Sequence, residues 1–85
     1  MYVVYVLKSE KNNRYYIGCT NNIERRIAEH NNGLSRYTKN KGPWVGVYKE
    51  EYSSLLEARK REKQIKSWKK RSAIEKLISP HRPVA

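Results

Sequence analysis

Phenylalanine is absent from this 85-residue chain, cysteine and methionine occur once each, and acidic residues are scarce. The single Cys19 excludes an internal disulfide framework and any all-cysteine metal site. No apolar run approaches the roughly 18 residues needed to cross a bilayer. Tyr2 to Leu7 is too short for a signal-peptide core and no basic segment precedes it, so a soluble cytoplasmic protein is expected. There is no linker, internal repeat or low-complexity segment, and the length suits one small domain. Seven tyrosines stand where phenylalanine would be the cheaper core filler.

The shortage of acid matters most. Lys and Arg number 19 against 8 Asp and Glu, giving a net charge of +11 and a pI near 10.0. Such a balance calls for an acidic partner, and nucleic acid is the commonest. An anionic membrane surface is the rival, but the basic helix described below lacks a wide apolar face, so no membrane partner is expected.

Tyr2-Val3-Val4-Tyr5-Val6-Leu7 is apolar on both faces and predicts a buried strand. Lys11-Asn12-Asn13 is turn chemistry, and Arg14 to Cys19 reads as the returning strand of a hairpin. Asn21 or Asn22 can cap a helix that Gly33 ends. Leu34 to Pro43 is a basic loop holding Arg36, Lys39 and Lys41. Trp44 to Tyr52 predicts a third strand, with Val45 and Val47 on one face and Trp44, Gly46 and Tyr48 on the other. Ser54-Leu55-Leu56-Glu57 is a capping box opening a helix to about Trp68, and Ser72-Ala73-Ile74-Glu75 repeats it for a last helix through Ile78. The predicted order is ββαβαα, an α+β domain over residues 1–79 with helices against a small mixed or antiparallel sheet, followed by an irregular tail over 80–85 marked by Pro80 and Pro83.

Polar groups interrupt the apolar stripes of both main helices. Ile23, Arg26, Ile27 and His30 fall within roughly a quarter turn of the first, whereas Arg25 points away. A cation half-sunk in an apolar stripe is costly unless paired. On the second, Glu62 lies among Leu55, Ala58 and Ile65. Each has an ordinary explanation when taken singly. Arg26 can pair with Glu29 or Glu24, His30 can be a satisfied core or helix-end residue, and Glu62 can pair with Lys66 at i+4. Tyr5 and Tyr16 lie on adjacent hairpin strands and can present hydroxyls on one side or simply pack. Taken together, the inward Arg, His and Glu beside a tyrosine hairpin suit charge on a phosphate and a hard divalent cation. The run Arg59-Lys60-Arg61, Lys63, Lys66, Lys69-Lys70-Arg71, with Trp68, favours a phosphate-contacting surface without sequence preference.

These residues resemble the GIY-YIG nuclease superfamily, in particular its small single-domain bacterial branch, similar to Slx-type nuclease domains. Val3-Val4-Tyr5 matches the first motif and Tyr16-Ile17-Gly18 the second. Asn22 to Ile27, Glu29 to Gly33, Pro43-Trp44 and Glu57 to Glu62 continue the match, which spans roughly Tyr2 to Trp68. The resemblance implies that Arg26, eight residues past Gly18, is the essential arginine. It also implies that Glu62 is the single metal-binding carboxylate, Tyr5 and Tyr16 the motif tyrosines and His30 an active-site histidine. Two departures stand out. Val3 replaces the leading glycine of the first motif, and no Asn occurs beyond Asn40 where many relatives carry a late one.

The expectation is a DNA endonuclease of repair or recombination type, using one Mg²⁺ or Mn²⁺ at Glu62. Arg26 would neutralise the scissile phosphate, Tyr5 or Tyr16 would orient or deprotonate water, and His30 would bond a tyrosine hydroxyl or shuttle its proton. Arg25, Arg36, Lys39, Lys41, Arg59, Lys63, Lys66, Lys69 and Lys70 are the expected nucleic-acid contacts. With no second domain, specificity falls to DNA shape or to a partner protein. The same fold retained as a non-catalytic nucleic-acid-binding module is the alternative.

Overall fold

The apolar run near the start of the chain becomes the central strand of a fully antiparallel sheet. In the computed structural model, which describes residues 1–79, strand β1 (Tyr2–Ser9) pairs with β2 (Tyr15–Thr20) on one side and β3 (Trp44–Tyr52) on the other, in the order β2-β1-β3. Helix α1 (Ile23–Asn31) follows the hairpin; α2 (Leu55–Lys66) and α3 (Arg71–Ile78) follow β3. The order is ββαβαα, an α+β fold, as the patterning predicted.

Because side chains alternate along a strand, β1 feeds two cores. Val3, Tyr5 and Leu7 join Trp44, with Tyr16, Ile23 and Ile27 packed around them on the α1 face. Val4 and Val6 join Ala58, Ile65 and Ile74 on the α2 and α3 face. The run is apolar on both faces because both are covered.

Local chemistry sets most boundaries. Ser9 Oγ accepts the Lys11 and Asn12 amides at 3.1 and 3.2 Å, and Asn13 takes φ +60, which closes the hairpin. Asn22 caps α1 by accepting the Arg25 amide at 3.1 Å, and Gly33 follows its end at φ +74. Ser54 Oγ accepts the Glu57 amide at 3.2 Å and starts α2.

Four expectations change. A bulge shifts the β1–β3 register between Val6 and Leu7, so that Val6 opposes Tyr48 but Leu7 opposes Gly46. Val47 is the extra residue, and alternation breaks there. Trp44 and Gly46 therefore face α1, while Tyr48 packs on the α2 face instead of sharing theirs. Leu55, expected in the core stripe, stays exposed at the first turn of α2, which its Ser54 cap holds without packing. The second capping box is not formed. Helix α3 begins at Arg71, so Ser72 lies inside it, and Lys70 at the cap offers no side-chain acceptor. Helix α2 also stops at Lys66, two residues before Trp68. The tail expected over 80–85 lies outside the described residues.

Candidate active site

On the α1 face of the sheet, the apolar layer ends in a cluster of polar tips. Tyr5 is almost completely buried, and its hydroxyl lies 3.1 Å from His30 Nε2. His30 is 1% exposed, at the inner end of α1, where the helix stripe carries it beneath the sheet. Its other nitrogen, Nδ1, lies 2.7 Å from Thr38 Oγ1. Thr38 is also 1% exposed, and its carbonyl accepts the indole N–H of Trp44 at 3.0 Å. A neutral imidazole has one donor and one acceptor, so the Tyr5–His30–Thr38 chain is satisfied with its protons running in either direction. Every buried side-chain nitrogen and oxygen among the described residues has a partner.

Tyr16 covers this chain from the edge strand. Its ring centroid is 4.7 Å from that of His30 and 6.3 Å from that of Tyr5, and the side chain is half-buried. Gly18 lets the Tyr5 ring pass under β2. A Cβ there would overlap the Tyr5 hydroxyl and the ring carbon that bears it. The glycine of the second motif is thus a steric requirement of the tyrosine of the first.

Arg26 sits one turn before His30, at the rim. Its Nη1 donates to Glu29 Oε1 at 3.1 Å, and the side chain remains 34% exposed. The bond to Glu29 holds the guanidinium charged against the opposing effect of burial, and the hydroxyls of Tyr5 and Tyr16 add to it. The simple ion pair considered for Arg26 is therefore present, but it leaves the cation beside both tyrosines.

Glu62 lies on α2, the helix that packs on the other face of the sheet. Its Oε2 accepts Lys66 Nζ at 2.7 Å, the side chain is only 16% exposed, and Oε1 has no donor among the described residues. Its charge reaches the cluster. The Cys19 thiol is pushed up first by burial and then by Glu62, and Glu62 also contributes to the rise at Tyr5. With its thiol held protonated, Cys19 is a poor nucleophile.

Burial keeps the inner pair, Tyr5 and His30, uncharged. Burial drives Tyr5 up to about 12, against the opposing influence of Arg26. The Tyr5 hydroxyl is therefore a fixed neutral group at ordinary pH. Burial, then the Arg26 charge, lowers His30 below the usual histidine range, so the imidazole is neutral too.

No group of three or more His, Cys, Asp or Glu gathers among the described residues. A lone, partly shielded carboxylate with one free oxygen fits Mg²⁺ or Mn²⁺, which keep several waters and need few protein ligands. It does not fit a fully protein-ligated ion such as structural zinc.

The basic residues separate into two groups. Arg25, Arg36, Lys39, Lys41, Arg59, Lys63, Lys69 and Lys70 are exposed. Lys66 is occupied by Glu62. Arg61, part of the basic run, turns inward. Its Nε and Nη2 donate to Glu50 at 2.9 and 3.0 Å, Tyr52 donates to the same carboxylate at 2.6 Å, and Tyr48 also donates to it. Arg61 is a strut between α2 and β3, not a surface cation. Arg71 stacks on Tyr15 at 4.6 Å and pairs with Glu75 at 3.5 Å.

The chain brings Tyr5, Tyr16, Arg26 and His30 together as the sequence suggested and sets Glu62 near them. Thr38 and Trp44 were not singled out for the site. Thr38 is an ordinary residue of a polar loop, and only the tertiary contact reveals it. The absent acid around it is the one local signal, since no carboxylate occurs between Glu29 and Glu50.

Comparison with known proteins gives the family. The family model for the GIY-YIG catalytic domain matches residues 1–76. A UPF0213 protein of Staphylococcus haemolyticus is 43% identical over 75 residues, covering 87% of this chain and 90% of its own length. Another from Clostridium perfringens is 40% identical over 80 residues, covering 93% and 85%. The solution NMR structure of a UPF0213 protein from Bacillus halodurans superposes with a TM-score of 0.61 at 31% identity, covering 95% of this chain and 86% of that one. The chain belongs to the GIY-YIG family, a nuclease superfamily, and within it to the small single-domain UPF0213 proteins.

Proposed function

We propose that this protein is a divalent-metal-dependent endonuclease that hydrolyses phosphodiester bonds in DNA, with a preference set by DNA structure, as in repair or recombination, and that it acts in the cytoplasm as a single domain over residues 1–79. The observation that carries this reading is the buried Tyr5–His30 pair, 3.1 Å apart, with the part-exposed Arg26 one helical turn before His30 and its guanidinium beside the hydroxyls of Tyr5 and Tyr16. A scaffold for binding alone has no need to set a part-exposed guanidinium against a buried hydroxyl–imidazole pair.

Each residue then takes a role from its surroundings. Arg26, charged and one-third exposed, neutralises the scissile phosphate. Tyr16, the less buried tyrosine, faces and orients the attacking water. The water oxygen bonds to phosphorus as the bond to the 3′-oxygen breaks, leaving a 5′-phosphate and a 3′-hydroxyl. Thr38 orients the neutral His30 through Nδ1, the water's proton reaches His30 Nε2 by way of the Tyr5 hydroxyl, and the departing 3′-oxygen takes a proton from solvent. Glu62 would hold the Mg²⁺ or Mn²⁺ ion, which when bound supplies charge stabilisation for the leaving oxygen. The exposed cations Arg25, Arg36, Lys39, Lys41, Arg59, Lys63, Lys69 and Lys70, with Lys66, give the backbone contacts expected of a chain of net charge +11.

The test is a Mg²⁺-dependent nicking assay on duplex, branched and single-stranded DNA. Glu62→Ala and Arg26→Ala are each expected to lower the rate by about 10²–10³-fold, the loss typical of a preorganised charge or donor. Cleavage that survives both substitutions rejects the assignment. Tight binding without cleavage under any divalent ion favours the non-catalytic module.

A further inference from the structure

The ten residues from Leu34 to Pro43 form a loop that is clamped inside and bare outside. Thr38 fixes its middle through the bonds to His30 and Trp44, and Ser35 is buried beside it. Between these anchors the loop turns two large side chains to solvent, Leu34 at 72% and Tyr37 at 77% exposure. Tyr37 is the most exposed of the large hydrophobic residues described, and Arg36 and Lys39 flank it. Among the described residues, no hydrogen bond, ion pair or ring contact engages the side chains of Tyr37, Arg36 and Lys39.

Behind the loop lies a cleft of about 910 Å³ whose floor includes His30 and Thr38. Lys11 and Lys39 stand at its walls with Asn32 and Asn40, and no carboxylate lines it among the described residues. An open cleft with two ammonium groups, amide donors and no acid selects an anion. A rigid aromatic between cations beside such a cleft matches the way proteins hold a nucleotide, with backbone phosphate on the cations and base on the ring.

We propose that the loop and its cleft form a nucleotide subsite next to the candidate active site, in which Lys11 and Lys39 hold a backbone phosphate and Tyr37 stacks on an unpaired nucleobase of the bound strand. The inference rests on nucleic acid being the substrate, but not on turnover. Since Tyr37 and Thr38 are consecutive, the stacked base would lie one residue from the group that holds His30. The occupant is a base rather than an apolar protein surface, because every titratable neighbour of Tyr37 in the loop is a cation.

The experiment uses the full chain carrying Glu62→Ala, which removes cleavage from the measurement. Its ligand is an oligonucleotide duplex with a single unpaired 2-aminopurine, set against the same duplex fully paired. Tyr37→Ala is expected to weaken binding of the unpaired duplex about tenfold and to abolish the fluorescence quenching that stacking causes. Tyr37→Trp is expected to preserve both. Lys39→Gln is expected to weaken both ligands alike and to lower the slope of log affinity against log salt by about 0.9. Lys76→Gln, on α3, serves as the charge-matched control and is expected to leave all of these unchanged.

Equal binding by the parent and Tyr37→Ala, or quenching that persists without the ring, overturns the subsite. A Lys39→Gln slope no lower than that of Lys76→Gln overturns the phosphate part. Nicking is read separately on the chain with Glu62 intact. Its failure with the Tyr37 effect present rejects the nuclease and keeps the subsite, and the reverse pattern does the opposite.

Discussion

His30 and Thr38, eight residues apart, are joined by a 2.7 Å bond between imidazole Nδ1 and hydroxyl Oγ1, and both side chains are shut away from solvent. The loop is thus fastened to the helix through a group the proposed chemistry needs. Thr38→Val keeps the shape and removes the bond, leaving a buried ring nitrogen unsatisfied at a cost of about 1–3 kcal/mol. Stability in urea is expected to fall by that amount and nicking by about tenfold or more, with Thr38→Ser restoring both. Thr38→Val is also expected to move the acid limb of the pH–rate profile. A purely structural loss would lower the rate equally at every pH.

Gly18 has no room for a side chain, since its Cβ would overlap the Tyr5 hydroxyl and the ring carbon that bears it. Gly18→Ala is expected to destabilise the fold by roughly 1–3 kcal/mol, the usual penalty of forcing an atom into a packed core. The effect should appear in thermal denaturation. An unchanged midpoint would mean that the Tyr5 ring is free to swing aside.

Glu50 carries a pH-dependent share of stability. Burial favours its protonated form, but hydrogen bonds from Arg61, Tyr48 and Tyr52 outweigh this and hold the carboxyl below its ordinary value of 4.5. A carboxylate depressed in the folded state stabilises it above the unfolded pKa and loses that contribution as pH falls through the folded one. Glu50→Gln should therefore be less stable than the parent at pH 7. The two denaturation curves should converge as pH drops below about 4. Parallel curves down to pH 2 would remove Glu50 as the cause. Arg61→Lys should reproduce most of the neutral-pH loss, because an ammonium cannot match the forked contact.

Lys66 competes with any cation for Glu62, whose Oε2 it holds at 2.7 Å. Lys66→Gln is expected to lower the Mg²⁺ concentration for half-maximal nicking by a few-fold, even if DNA binding weakens. The shift should also appear as stronger thermal stabilisation by Mg²⁺ in the absence of DNA, and should vanish in a Glu62→Ala background. A half-saturation point that stays put would place the ion elsewhere.

The parts of the site carried by a helix were legible in the sequence. Arg26 and His30 announced themselves because a 3.6-residue period makes an inward polar side chain visible, and Glu62 did so for the same reason on α2. Thr38 was not legible, because a loop has no period and its partner lies on another element. The face of Tyr48 was misread since a single inserted residue, Val47, resets the alternation, and no residue type at that position marks a bulge. Ser72 satisfied a capping pattern that the chain does not use, as α3 begins earlier. Arg61 looked like any other member of a basic run until β3 brought Glu50 beside it.

That extra residue in β3 divides the labour of one strand. Before it, Trp44 serves the tyrosine layer and secures the loop; after it, Tyr48, Glu50 and Tyr52 serve the α2 layer. Adding a residue to β3 away from Val47 would turn one of the two sets over, sending the indole toward α2 or the carboxylate toward the tyrosine layer. Substitutions in this strand should therefore be tolerated far more readily than a change in its length.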